Sequence, residues 1–393
     1  MKILYVCLFP IEANSSGMMR NLAVVKGLLS NNHEVDFLTI PTIRYNVIIS
    51  NDDLNKINII RTKSNRAYDS ITSVGNKKTK RVKEVFINIL RKVYHKLSIF
   101  DYTHKIAKDI SIDDLSCSEY DIIISSSDPK TSHIAVNNLI KQGLSYNRWI
   151  QYWGDPLTLD ITNKSIYPRW ILKSIEKNIL KKADDIIYVS PFTYREQATI
   201  FPKLSSKMRF CPIPYKEIKI YPPTNNSKFI IGYYGAYKST YRDIMPLFDS
   251  CVMLDKQVNL IVMGDSDHEL PSADNVESYP RGNVGEYEAK TDLLICILNK
   301  RGTQIPGKIY HYAATNKPIL VLLDGEHKEE IRKYLESFNR YIICNNTVEE
   351  ITKSIANIIG NFKEYTPSIE FSPEKISEDI LDIKSNIGSE VIK

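Results

Sequence analysis

Apolar and polar positions alternate along this chain in two repeating rhythms. Residues 1–8 form a nearly continuous apolar run, the pattern of a strand buried on both faces of a parallel sheet. A polar loop follows to Gly17, and then Met18, Leu22, Val25 and Leu29 recur at helical spacing. Residues 34–40 read as the next strand, which completes a β-α-β unit with a right-handed crossover. Strands are predicted at 120–125, 148–153 and 185–189, and helices at 132–142 and 170–182. After a stretch at 212–228 that holds four prolines, the rhythm starts afresh. Strands are expected at 229–234, 258–263, 291–298 and 318–322, and helices at 244–254, 308–315, 349–359 and, more weakly, 373–385.

Such alternation predicts an α/β fold with two parallel sheets. At 393 residues the chain is too long for one ordinary core. The reading is a first domain over 1–211, a connection over 212–228 and a second domain over 229–370. A last helical segment over 371–393 is expected to pack back toward the first domain. No period of 20–50 residues recurs, which excludes a solenoid.

Composition narrows the class. The chain is 43% hydrophobic and 25% charged, ordinary for a globular protein. No apolar run approaches the roughly 18 residues of a membrane-spanning helix, and residues 1–8 read as a strand, with no signal-peptide cleavage site after them. The six cysteines are scattered, with no pair at metal-ligand spacing, so a reducing cytoplasm is expected. Charge is uneven. Residues 1–215 carry 31 Lys and Arg against 20 Asp and Glu, whereas 216–393 carry 21 against 26. The basic first half predicts an anionic surface as partner.

Much of that charge sits at 77–96, which has eight Lys or Arg and one acid, Glu84. Val82, Val85, Phe86, Ile89, Leu90, Val93 and Leu97 fall on one helical stripe. This is a basic amphipathic helix, either packed on the protein with solvated charges or laid on an anionic membrane through Lys77, Lys78, Lys80, Arg81, Lys83, Arg91 and Lys92. No nucleic-acid-binding motif accompanies the charge, and no such partner is expected.

Several short motifs bear on chemistry. G-x-G-x-x-G and Walker loops are absent from both halves, which argues against a dehydrogenase or nucleoside triphosphatase. Gly17, read as standing just before a helix, either relieves a tight turn or lets a phosphate approach the helix end. Asp265-Ser266-Asp267 spells D-x-D, but after a strand that spelling is an ordinary loop, and no metal is expected. Trp153-Gly154-Asp155-Pro156 closes a strand of the first half, with Asp155 either capping the turn or meeting substrate. His133 is a weaker candidate of the same kind. In Gln304-Ile305-Pro306-Gly307-Lys308-Ile309-Tyr310-His311, a loop runs into a helix whose first turn would point N–H groups and Lys308 at an anion, or else simply expose the lysine.

That last segment, continued through Tyr312-Ala313-Ala314-Thr315-Asn316-Lys317-Pro318-Ile319, resembles the donor-site helix of the family 4 glycosyltransferases. Other landmarks follow in the same order. Residues 1–8 with Gly17 are similar to that family's first strand and glycine loop, and Asn32-His33-Glu34-Val35 to its turn into the second strand. Glu176 with Ala183-Asp184-Asp185-Ile186 and Val189-Ser190 is similar to its central helix–strand element. Gly232–Tyr234 with Gly235 resembles the opening of its donor domain. The resemblance covers roughly residues 1–360.

The resemblance implies the GT-B architecture: two Rossmann-like domains with parallel sheets facing across a cleft. It implies a glycosyltransferase of the hexosyltransferase class, acting with retention, without metal or other cofactor. The donor would be a UDP- or GDP-linked sugar and the acceptor a glycan or lipid-linked glycan of cell-surface polysaccharide synthesis. The place would be the inner face of the cell membrane. Arg242 and Lys308 would meet the donor diphosphate, with Gly17, Gly235, Gly307 and Ile309 beside it. Arg281 and Gly282 would lie near the base, and Asp155 near the acceptor. One position departs from the pattern: His311 stands where the family has a ribose-binding glutamate. Two other readings stay open, a nucleotide-sugar 2-epimerase of the same fold and a non-catalytic glycan- or membrane-binding relative.

Overall fold

Residues 1–13, 15–41, 56–63, 96–160 and 165–382 are described by the computed structural model. The basic helix expected over 77–96, with Lys77, Lys78, Lys80, Arg81, Lys83, Arg91 and Lys92, lies outside them except for Lys96. The chain divides into two units, one of Met1–Lys216 together with the C-terminal helix, the other of Glu217–Ser372.

The apolar runs of unit 1 become seven parallel strands. They are β1 (Lys2–Val6), β2 (Glu34–Thr39), β3 (Asn58–Arg61), β4 (Glu119–Ser126), β5 (Ser145–Trp153), β6 (Asp185–Tyr188) and β7 (Met208–Phe210), in the order β3-β2-β1-β4-β5-β6-β7. The helices are α1 (Ser16–Ser30), α2 (Thr103–Asp109), α3 (Thr131–Lys141), α4 (Arg169–Leu180) and α5 (Pro191–Ile200). β1 sits between β2 and β4, in register Ile3 with Val35 and Ile3 with Ile122, so the order reverses between β1 and β4. Leu4, Val6, Leu38, Ile123 and Trp149 belong to one core cluster of this sheet.

Unit 2 repeats the plan with β8 (Phe229–Tyr233), β9 (Val258–Met263), β10 (Val276–Tyr279), β11 (Leu293–Ile297), β12 (Ile319–Leu323) and β13 (Ile342–Asn345). Their order, β10-β9-β8-β11-β12-β13, is again all parallel and reverses between β8 and β11. Its helices are α6 (Met245–Met253), α7 (Gly285–Lys290), α8 (Lys308–Ala313), α9 (Lys328–Glu336) and α10 (Val348–Gly360). β11 and β12 are buried along their whole length, as their unbroken apolar runs require.

Residues 217–228, which read from the sequence as connection, are tied to unit 2. Lys219 bridges Thr315, Tyr221 and Asn316 exchange two hydrogen bonds of 2.9 Å, and Asn226 holds Asp292 at 3.0 Å.

The final helix, α11 (Pro373–Leu381), packs on α1. Gly27 permits this: a Cβ there would stand 1.8 Å from the Pro373 carbonyl oxygen. Asn31, one turn on, donates to the Glu374 carbonyl and to Ser377 Oγ, both at 2.9 Å. At the other end of α11, Arg148 and Arg209 donate to the carbonyls of Leu381 and Asp379 at 2.6 Å each, supplying the cationic partners that a helix C-terminus favours.

Candidate functional site

In an open parallel sheet, ligands bind beyond the carboxyl ends of the strands where the order reverses. In unit 2 that point lies between β8 and β11, and the loops after those strands are joined. Arg242, in the loop after β8, donates from Nε to Asn299 Oδ1 at 2.9 Å and from Nη1 to the Ala236 carbonyl at 3.3 Å. Lys300 N donates to the Tyr241 carbonyl, and Lys300 Nζ pairs with Asp243 at 2.9 Å.

Lys308 opens α8 beside the same loop. A Cβ on Gly235 would lie 3.8 Å from Lys308 Cε, so the lysine stem runs past the glycine. Its ammonium stands 5.3 Å from the centre of the Tyr312 ring. Among the described residues, neither Lys308 nor Arg242 has a carboxylate within ion-pair distance. Burial holds the Lys308 ammonium below the usual lysine range; Glu288 and Cys296 counter this, while Arg242 and Lys219 add to it. The structure therefore brings Gly235, Arg242 and Lys308 together as a half-buried, cationic corner.

The neighbouring groups complete it. His311, one turn along α8, is driven down to about 4 by burial and by the Lys308 and Lys219 charges, so its ring is neutral near pH 7. A neutral imidazole both donates and accepts, as a hydroxyl-bearing ligand needs. Ile309 behaves otherwise than its position in the motif implied: its N–H closes a turn onto the Pro306 carbonyl at 3.1 Å. Gly307 precedes α8 with an ordinary negative φ, so its part is the turn itself. Tyr312 Oη is buried without a hydrogen-bond partner.

Three residues of this corner escaped the sequence reading. Glu288, on α7, is buried, accepts from Tyr221 Oη at 3.0 Å and stands 3.6 Å from Lys219 Nζ. Lys219 and Tyr221 come from the proline-rich stretch, which carries no motif. Glu288 is one of two acids on a short helix, and only its burial sets it apart. Lys317, by contrast, is structural: it donates to the carbonyls of Ala289, at 3.1 Å, and Thr291, and so ties the end of α7.

Arg281 and Gly282 follow β10, the edge strand two places from the reversal. Arg281 lies 3.8 Å from Asp265. Asp267 is a loop staple, accepting from Ser239 N at 2.9 Å and Ser239 Oγ at 2.8 Å and meeting His268 Nδ1 at 2.9 Å. Among the described residues, no group of three or more His, Cys, Asp or Glu could hold a metal ion.

Unit 1 carries its own polar cluster at its strand ends. Asp155 follows β5, half-buried. Its carboxylate accepts no hydrogen bond among the described residues. Burial and the nearby Asp128 push it up to about 7, with Asp160 adding to this and Lys130 and Arg20 opposing it. Lys130 bridges Asp128 at 2.8 Å and Asp160 at 3.0 Å. Arg20, buried on α1, donates to the Ser127 carbonyl and to Ser126 Oγ, and lies 5.1 Å from the Tyr152 ring centre. Gly154 makes room for it, since a Cβ there would come within 2.4 Å of Arg20 Nη1.

His133 is fully buried, bound to Ser125 Oγ at 2.8 Å and stacked 4.3 Å from Trp153; burial brings it down to about 3. It is a core histidine. Gly17 also differs from the expectation. Ser15 is the N-cap of α1, accepting from Met18 N at 3.1 Å, so Gly17 lies inside the first turn and not before it. Nothing within 4 Å would meet a Cβ there.

No known protein-family profile matches the sequence, and no curated protein does. Solved structures do match. HepE of Anabaena, in complex with UDP and glucose, is similar over 96% of this chain and 95% of its own, at 12% identity and a TM-score of 0.56. A glycosyltransferase from Rickettsia africae is similar over 96% and 92%, at 12% identity and a TM-score of 0.53. The chain has the GT-B fold of these proteins, two Rossmann-like sheets in succession.

Proposed function

We propose that this chain is a glycosyltransferase that takes a sugar from a nucleotide-sugar donor. One observation carries the reading: Arg242 and Lys308 stand at the strand reversal of unit 2 with no carboxylate within ion-pair distance among the described residues, and with the buried Glu288 already engaged by Tyr221 and Lys219, a corner that an anionic ligand completes. A diphosphate fits, because two cations with hydrogen-bond donors of different shape suit its adjoining charges. The resemblance of residues 304–320 to the family 4 donor helix supports the same assignment, as does a GT-B neighbour whose structure contains UDP and glucose.

In this mechanism Arg242 and Lys308 stabilise the charge that grows on the leaving diphosphate, the task a metal performs elsewhere. No metal or cofactor is required. His311, neutral, takes the ribose hydroxyls in place of the family's glutamate. On unit 1, Asp155 as a carboxylate accepts a hydrogen bond from the acceptor hydroxyl. Arg281 and Gly282 lie toward the base, and Gly17 leaves space for a phosphate oxygen. The transfer is of a hexose, with retention, from a UDP- or GDP-sugar to a glycan or lipid-linked acceptor of surface polysaccharide synthesis. The basic residues of 77–96 support a position on the inner membrane face.

The test is thermal unfolding with a panel of nucleotide sugars and free nucleotides. Ligand at a hundredfold excess over its dissociation constant should add about 2.7 kcal/mol of stability. A shift with one nucleotide class identifies the base. No shift from any compound at millimolar concentration sinks the donor site. Release of an epimerised sugar without acceptor would move the reading to an epimerase.

A further inference from the structure

Unit 1 exposes a group of large apolar side chains that the site above does not use. Trp170 is 71% exposed, Ile166 63% and Leu97 55%, with Tyr167 beside them. They come from two segments that touch, since Ile166 N donates to the Lys96 carbonyl at 3.0 Å. Pro168 stops the extended chain and starts α4, which presents Trp170 at its first turn.

The rest of α4 explains what such a surface can meet. Leu172 and Leu180 turn inward, and so does Glu176, which accepts from the N–H groups of Leu157 and Thr158 at 2.8 and 2.9 Å. Glu176 is the sole acid between residues 161 and 183. Burying it leaves the outward face with Arg169, Lys173 and Lys177 and no opposing charge. Trp170, Lys173 and Lys177 are spaced i, i+3 and i+7, so they share a stripe. Lys173 also lies 5.9 Å from the Phe201 ring centre, and remains exposed.

An aromatic and aliphatic tip next to an unopposed row of cations has two requirements at once. Indole and phenol rings favour the boundary between headgroups and acyl chains, and lysine and arginine favour anionic headgroups. A lipid surface supplies both in one plane. We propose that the face formed by Leu97, Ile166, Tyr167 and Trp170 with Arg169, Lys173 and Lys177 docks on an anionic bilayer, the apolar tip entering the headgroup layer. The proposal uses none of the basic residues of 77–95, and it stands whether or not the donor corner binds a nucleotide sugar.

The three tryptophans make the test direct. Trp149 and Trp153 are 1% and 0% exposed, so a change of emission on adding lipid reports Trp170. The full chain is mixed with phosphatidylcholine vesicles and with vesicles rich in phosphatidylglycerol, and binding is read by flotation and fluorescence. The expected result is a blue shift and co-flotation with the anionic vesicles only. Trp170→Ala should remove the shift, and Lys173→Glu with Lys177→Glu should weaken binding about tenfold or more. All these positions are exposed, so unchanged melting certifies the variants. Co-flotation equal to that of the parent in both variants would assign membrane binding elsewhere and overturn the proposal, as would absence of binding to anionic vesicles. A blue shift that follows protein concentration without lipid would assign the face to a second copy or a protein partner. A nucleotide-sugar shift that fails while vesicle binding persists would overturn the donor reading alone.

Discussion

Lys308 holds a charge in a place that resists it. Its lowered pKa means that the folded protein binds that proton less readily than the unfolded chain does. Stability therefore rises with pH as the solution approaches the ordinary lysine range, and below that range the charge is a standing cost. Lys308→Met should remove the cost and fill the same space. The variant is expected to melt at or above the parent's temperature while turnover falls at least tenfold and the nucleotide-induced shift disappears. A variant with full turnover would take Lys308 out of the site. Asp155 carries the opposite sign. Its carboxyl is raised to about 7, so between about 4 and 7 the folded state keeps a proton that the unfolded state releases, and stability falls as pH rises through that window. Asp155→Asn should gain about 1–3 kcal/mol over the parent at pH 8 and nothing at pH 4, read by denaturant titration. The parent's transferase activity should climb through pH 7 as the carboxylate forms, and the variant should lose that climb.

At the scale of elements, the contact of α1 with α11 depends on one missing methyl group. Gly27→Ala would drive a Cβ into the Pro373 backbone, an atom that cannot turn aside. The expected loss is about 1–3 kcal/mol in unit 1, seen as a lower melting temperature, whereas alanine at Gly17, with open space around it, should be neutral or stabilising. The long apolar strands and the helices between them were legible in the sequence because burial on both faces imposes a continuous run; Val258–Met263 is found where it was read. Short elements were not. β10 and β13 have four residues each and mixed burial, so neither carries a periodic signal, and in α9 the helical spacing of Ile331, Tyr334 and Leu335 sits in a short, mostly charged segment. The site divides in the same way. Gly235, Arg242 and Lys308 were legible from their order in a recognisable segment. Glu288, Lys219 and Tyr221 were not, because tertiary packing alone brings a proline-rich stretch against α7. Ile309 is placed by motif and His133 only by its position at a helix start, where a structural role is the commoner reading; their actual partners, a turn carbonyl and a core serine, follow from local geometry.

For the whole molecule, the uneven charge read from composition has a structural counterpart. Unit 1 holds α4, with its acid buried and its bases outward, whereas unit 2 sets Arg242 and Lys308 at its strand reversal. Each unit also uses the same sheet order, and each has its polar cluster at the carboxyl ends of strands. Unit 1, however, is not continuous: α11 belongs to it yet follows Glu217–Ser372 along the chain. During synthesis the ribosome therefore delivers the segments out of spatial order. Residues 217–372 are complete while the groove along α1 at Gly27 still awaits its cover, and the carbonyl partners of Arg148 and Arg209 have not yet emerged.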